Sequence, residues 1–270
     1  MGEAPLHGVP ALGQVTPSLL KEALRRGWAD MRRAPLLGAI FASVYVLLGL
    51  GMTWVTLWTG HSYWLVFAAV GFPLVGPFTA VGLYEVSRRL EHGMALQWRA
   101  IFGVVVNQSQ RQLPSISAII IFMFLFWFFI AHMIFAVFMG TMTLTNISTS
   151  FEVYGTANGI MMLTVGTLVG AGFALLLFMI TVVSLPMLLD REVDYVSAMI
   201  ASFQLVQQNF FPMLLWALFI AVLTFVAMLP AFLGLFLVLP LLGHATWHLY
   251  DLLMAAAPEE ELGNGDQQPA

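Results

Sequence analysis

Three histidines fall inside the predicted membrane spans of this chain: His132, His244 and His248. His244 and His248 stand four apart in Gly243-His-Ala-Thr-Trp-His-Leu-Tyr250. On a helix that spacing puts both imidazoles on one face, where they could bind a metal or form half of a haem site. A bis-histidine haem needs its two ligands at similar depth. Counted from the outer ends of their helices, His132 lies roughly 9 Å down and His244 roughly 20 Å, which argues against that pair. A metal on His244 and His248 has no obvious third ligand, and only Asp251 and Glu85 reach the same side. The expectation is therefore no metal and no cofactor, with the histidines serving helix packing or the membrane interface. No catalytic set is visible either: there is no Ser/His/Asp arrangement, no phosphate-binding glycine loop and no zincin pattern.

Two further patterns bear on function. Pro73, Gly76 and Pro77 fall in Phe72-Pro-Leu-Val-Gly-Pro77, and Pro240 and Gly243 in Leu239-Pro-Leu-Leu-Gly243. Paired broken helices can frame a central transport site; alternatively, these residues only kink packed helices. Gly166, Gly170 and Ala174 form a small-residue face through which a neighbouring helix can approach closely.

The elements that must position these residues follow from composition. Apolar residues make up 60% of the 270 positions and charged residues 9%, against about 25% charged in soluble domains. So few charges cannot cover a water-facing surface, which excludes a soluble globular protein. The net charge of −4 argues against nucleic acid as a partner. With no cysteine, disulfides, thiolate metal sites and thiol catalysis are excluded together.

A helical span needs about 20 apolar residues. Uncharged runs of that size predict spans at about 35–58, 63–84, 115–138, 159–189, 212–228 and 231–250. The last two share one long run, and Leu229-Pro230 with Gly234 predicts a tight turn between them; a single kinked helix is the competing reading. All ten Lys and Arg residues precede the first span, lie between the second and third, or lie between the fourth and fifth. By the positive-inside rule, the amino terminus and both basic loops are cytoplasmic, and six spans return the carboxy terminus there too. The expected setting is a membrane with both termini on its cytoplasmic side, and the lipid bilayer is the first partner.

Residues 1–34 form a cytoplasmic segment without a cleavable signal pattern. Thr16-Pro17 predicts a helix start, and a helix over 17–33 carries Leu20, Leu24, Trp28 and Met31 opposite Lys21, Arg25, Arg26 and Arg32. Such a helix lies on the leaflet or packs as a cap on the loops. Comparable amphipathic stretches end in Pro114 and Pro212, a loose threefold repeat. The fold class is thus all-α: a polytopic bundle in 35–254, six transmembrane helices as three hairpins, each preceded by an amphipathic cytoplasmic helix. Thr141–Ala157 is the one sizeable outer loop, and 255–270 is an acidic tail expected to be disordered.

Three strings carry a resemblance: Phe72-Pro-Leu-Val-Gly-Pro-Phe-Thr-Ala-Val-Gly-Leu-Tyr-Glu-Val-Ser-Arg-Arg-Leu-Glu91; Leu189-Asp-Arg-Glu-Val-Asp194 with Ala198, Ser202 and Asn209; and Leu239–Tyr250. Together they resemble the bacterial family of predicted integral membrane proteins called domain of unknown function 2189, from roughly Leu36 to Leu253. Some members carry a cytochrome c oxidase subunit-like label. Six histidines, three of them in spans, cannot hold two haems and a copper, so the resemblance implies an accessory role and not oxidase catalysis. The expected function is non-enzymatic: an accessory or assembly factor acting by association with a membrane complex, possible as a homo-oligomer. The alternatives are a small-molecule or lipid transporter using spans two and six, and a haem- or metal-binding membrane protein.

Overall fold

A computed structural model describes residues 6–60, 65–140 and 151–257. Most of the expected acidic tail, and residues 141–150 of the expected outer loop, lie outside them. Among the described residues, ten α-helices run in chain order: α1 Pro17–Arg33, α2 Pro35–Thr59, α3 Leu65–Glu91, α4 Trp98–Gln108, α5 Leu113–Met139, α6 Ala157–Thr181, α7 Ser184–Asp190, α8 Tyr195–Gln208, α9 Phe210–Met228 and α10 Leu235–Ala255. A parallel pairing of β1 (Leu6–His7) with β2 (Arg191–Glu192) is the sole strand contact among the described residues.

Local chemistry accounts for the boundaries. Thr16 caps α1 by accepting from the Leu19 amide, and Pro17 opens the first turn. Thr156 caps α6 and Asp194 caps α8 in the same way. Gly60 ends α2 at φ 68°, a left-handed position that costs glycine little. Between α9 and α10 the chain turns through Ala231 and Phe232, both at positive φ. Ala227 then packs with Leu235, while Ile220 and Leu223 join Val238 and Leu242. The chain has reversed, which excludes a single kinked helix.

The expected span 159–189 falls within one candidate crossing segment, Ala157–Asp190, whose helix is interrupted at Val182 and Val183. The Ser202 hydroxyl accepts from the Val183 amide at 3.2 Å and donates to the Met179 carbonyl at 2.8 Å. A side chain inserted into the backbone ladder interrupts a helix, so α6 stops at Thr181 and α7 restarts at Ser184.

Among the described residues, four segments are long and apolar enough to cross a membrane: Pro35–Thr59, Leu113–Met139, Ala157–Asp190 and Phe210–Met228. They place large apolar side chains outward, with Leu57 79% exposed, Val137 76% and Phe211 78%. Such a surface suits lipid and not water. The helices pack as consecutive antiparallel pairs. In α2 and α3, Tyr45 stacks on Phe72 and Phe41 lies against Gly82. In α5 and α6, Trp127 meets Gly170 and Met139 meets Met162.

Polar residues gather at the opposite end from the α9–α10 turn. There α1 lies antiparallel along the second half of α10, close enough that a Cβ on Gly27 would stand 2.6 Å from the Ala245 nitrogen. The buried stripe of α1 is Ala23, Gly27, Asp30 and Met31. Trp28 stays 44% exposed. The helix is thus docked on α10 through small residues, and the apolar face read from periodicity is offset from the one it buries.

Candidate functional site

The second half of α10 is the most enclosed part of the molecule: Trp247, Leu249, Tyr250 and Leu253 are all at most 2% exposed. Its spacing puts His244, His248 and Asp251 along one side. Three other helices supply their partners. From α1, the Asp30 carboxylate accepts from His248 Nε2 at 2.6 Å. From α3, the Ser87 hydroxyl bonds His244 Nδ1 at 2.8 Å, with Ser87 and His244 both fully buried. From the end of α3, Glu91 accepts from the Trp247 indole at 3.0 Å. Tyr250 donates to Asp190 of α7 at 2.9 Å.

Charge follows from these contacts. Burial alone would raise the Asp30 carboxyl, but the hydrogen bond and charge of His248, helped by Ser87, outweigh it and hold the group below its ordinary range. Asp251, one position past the expected span, is pushed up to about 6 by burial and by the neighbouring Glu91. Arg26 lies 3.8 Å from Glu91 and 3.6 Å from Asp251 while its Nε donates to Glu22 at 2.9 Å. Glu85, fully buried in α3, is bracketed by Arg88 at 2.8 Å and Arg89 at 2.6 Å. Two buried nitrogens, His244 Nε2 and His248 Nδ1, have no hydrogen-bond partner.

The string Phe72–Glu91 that carries the resemblance forms most of one continuous helix, with its proline pair in the apolar half and Glu85, Ser87 and Glu91 in the polar network. Residues 65–190 match the model of a family described as predicted integral membrane protein, DUF2189. The DUF2189 match is shorter than the Leu36–Leu253 range of the resemblance, and α1, α2, α8, α9 and α10 fall outside it. The DUF2189 segment contributes Ser87, Glu91 and Asp190 to the network, and α1 and α10 contribute the rest. No curated protein and no solved structure matches the chain.

Other residues expected to matter are dispersed. His132 is on the exposed side of α5, its Nδ1 turned back to the Phe128 carbonyl at 2.8 Å. It does not meet the buried His244, so the two do not form a haem pair. Pro73, Pro77 and Pro240 all lie inside helices that continue through them. Packing against neighbours carries the helices through these positions: a Cβ on Gly76 would stand 2.7 Å from the Tyr45 hydroxyl, and one on Gly243 2.6 Å from Leu83. Pro240 itself packs against Gly38. Gly170 abuts the Trp127 indole, Gly166 faces open space, and Ala174 is exposed.

Asp30, Ser87 and Glu91 carried no assigned role in the sequence. The available signal was the stripe Ala23, Gly27, Asp30, small residues in register with a carboxylate. Such a stripe marks a helix that approaches another closely and brings the acid with it.

Proposed function

We propose that this chain is a six-span protein of the bacterial inner membrane, with both termini in the cytoplasm, that works non-enzymatically as an accessory or assembly factor of a membrane complex. The carrying observation is α5. None of the residues in its most apolar window is buried, and its outward side presents Phe122, Phe126, Phe129, Met133 and Val137, each at least half exposed. Phe122 and Phe126 stack upon one another at 6.3 Å. A rigid aromatic face of this kind suits a neighbouring transmembrane helix. The basic residues of α1, α3, α4 and the α7–α8 link support a cytoplasmic polar end. The family label attached to some relatives points the partner towards respiration. Affinity purification of the tagged chain from native membranes should recover a reproducible partner or a homo-oligomer, and Phe122→Ala with Phe126→Ala should release it. Recovery as a lone monomer overturns the reading.

A second reading, capture of a lipid or small apolar molecule, rests on a different observation. Cavities of about 330 and 220 Å³ both border Tyr45 and Gly76; Pro73 and Pro77 line the first, and Gly243 and Thr246 the second. Lipid extracts should raise the melting temperature of the wild-type chain and not of Gly76→Leu. Absence of any shift across lipid classes counts against it.

A further inference from the structure

We propose that Glu91, His248 and Asp251 form a binding site for one divalent transition-metal ion at the polar end of α10. One carboxylate oxygen from each acid and one ring nitrogen of His248 all lie within 4.8 Å of one another. In a tetrahedral site with ligand bonds of about 2.0–2.2 Å, ligand atoms stand roughly 3.4 Å apart. The side chains therefore need to close by about 1.4 Å at most.

The supporting geometry comes from outside the acidic cluster. His248 is 4% exposed, and Asp30 engages its Nε2. With Asp30 held by Nε2, Nδ1 is the ring nitrogen left to an ion, which displaces any proton it carries. Nδ1 is buried and has no hydrogen-bond partner. A carboxylate holding one ring nitrogen while the other binds the ion is the usual outer support of a histidine ligand. Glu91 is oriented in the same manner, because the Trp247 indole takes Oε2 and leaves Oε1 available.

Charge also favours an ion. Two carboxylates converge here, and the cation beside them, Arg26, stands 3.6 and 3.8 Å away, beyond direct hydrogen bonding. The side chains of Glu91 and Asp251 are 25% and 29% exposed, which gives the ion a route in and leaves room for water on its open side. One imidazole and two carboxylates suit Zn²⁺, Mn²⁺ or Fe²⁺ better than Ca²⁺ or Mg²⁺, which prefer all-oxygen sets. The site does not depend on what the chain associates with.

The test is calorimetric titration of chelator-treated, full-length protein in nanodiscs with Zn²⁺, with Mg²⁺ in parallel. The expected result is one Zn²⁺ per chain, weakened at least tenfold by Glu91→Gln and by Asp251→Asn, both at partly open positions that leave the core intact. Asp30→Asn should weaken it by about 10–100-fold without removing a ligand. Arg26→Gln should tighten it by relieving competition. Asp190→Asn, a carboxylate of the same end outside the cluster, should leave it unchanged. Absence of saturable Zn²⁺ binding, or binding indifferent to both Glu91→Gln and Asp251→Asn in monodisperse protein, overturns the proposal.

Discussion

His248 and Asp30, 218 positions apart in sequence, meet at 2.6 Å with side chains 5% and 6% exposed. An ionised carboxylate so deeply enclosed persists because the imidazole compensates it, and the pair locks α1 onto α10. Removing one member of a buried pair strands the other. Asp30→Ala should therefore destabilise the protein by about 3 kcal/mol, read as a lower unfolding midpoint in detergent. Asp30→Asn should cost less, because an amide still accepts the hydrogen bond.

The same pair predicts an acid response. The Asp30 carboxyl is held below its ordinary value, so its contribution is complete above about pH 4, the unfolded value. It is lost as pH falls through the lower folded value. Thermal midpoints of chelator-treated protein between pH 7 and 3 should fall steeply at the acid end, and Asp30→Asn should flatten that slope. An identical slope in both proteins refutes the assignment.

Gly27 provides a steric test of the docking. Its added Cβ would meet the backbone of Ala245 at 2.6 Å, whereas one on Gly51 meets nothing within 4 Å. Gly27→Ala should destabilise by about 1–3 kcal/mol through overpacking. Gly51→Ala should be neutral or slightly stabilising, as expected for alanine in a helix interior. Paired unfolding curves check both.

The two glycines of α6 should likewise separate. Gly170→Leu drives a side chain into Trp127 and should loosen the α5–α6 pair, lowering the unfolding midpoint. Gly166→Leu enters open space. It should leave the isolated chain intact while weakening co-purification of any partner seated on that face.

Much of the helical layout was legible because lipid imposes a simple rule: long uncharged runs must be helices with every backbone group satisfied. Pro35, Pro114 and Pro17 near helix starts, and the Thr16 cap, fixed starts to within a residue or two. The polar network was not legible. Ser87 and His244, or Asp30 and His248, acquire meaning only by pairing across 157 and 218 positions, and nothing local to either residue announces it. The histidine spacing did direct attention to α10 and to Asp251. Glu91 escaped notice because it closes a helix beside arginines and reads as surface charge. Gly76 and Gly243 were ambiguous for the opposite reason, since the residue type that permits a break also permits close contact, and they stand in close contact with Tyr45 and Leu83 respectively.

The position of α10 has a consequence for biogenesis. At translation rates of about 5–20 residues per second, the 218 positions between Asp30 and His248 take roughly 10–45 s to synthesise. Throughout that interval α1 has left the ribosome with its carboxylate and small-residue stripe uncovered. The polar end can close only after α10 has been made, so a chain stalled before α10 displays an undocked amphipathic helix. A membrane protease that reads such a helix could distinguish unfinished copies from finished ones. Chains truncated at Met228 should turn over faster in pulse-chase labelling than full-length copies.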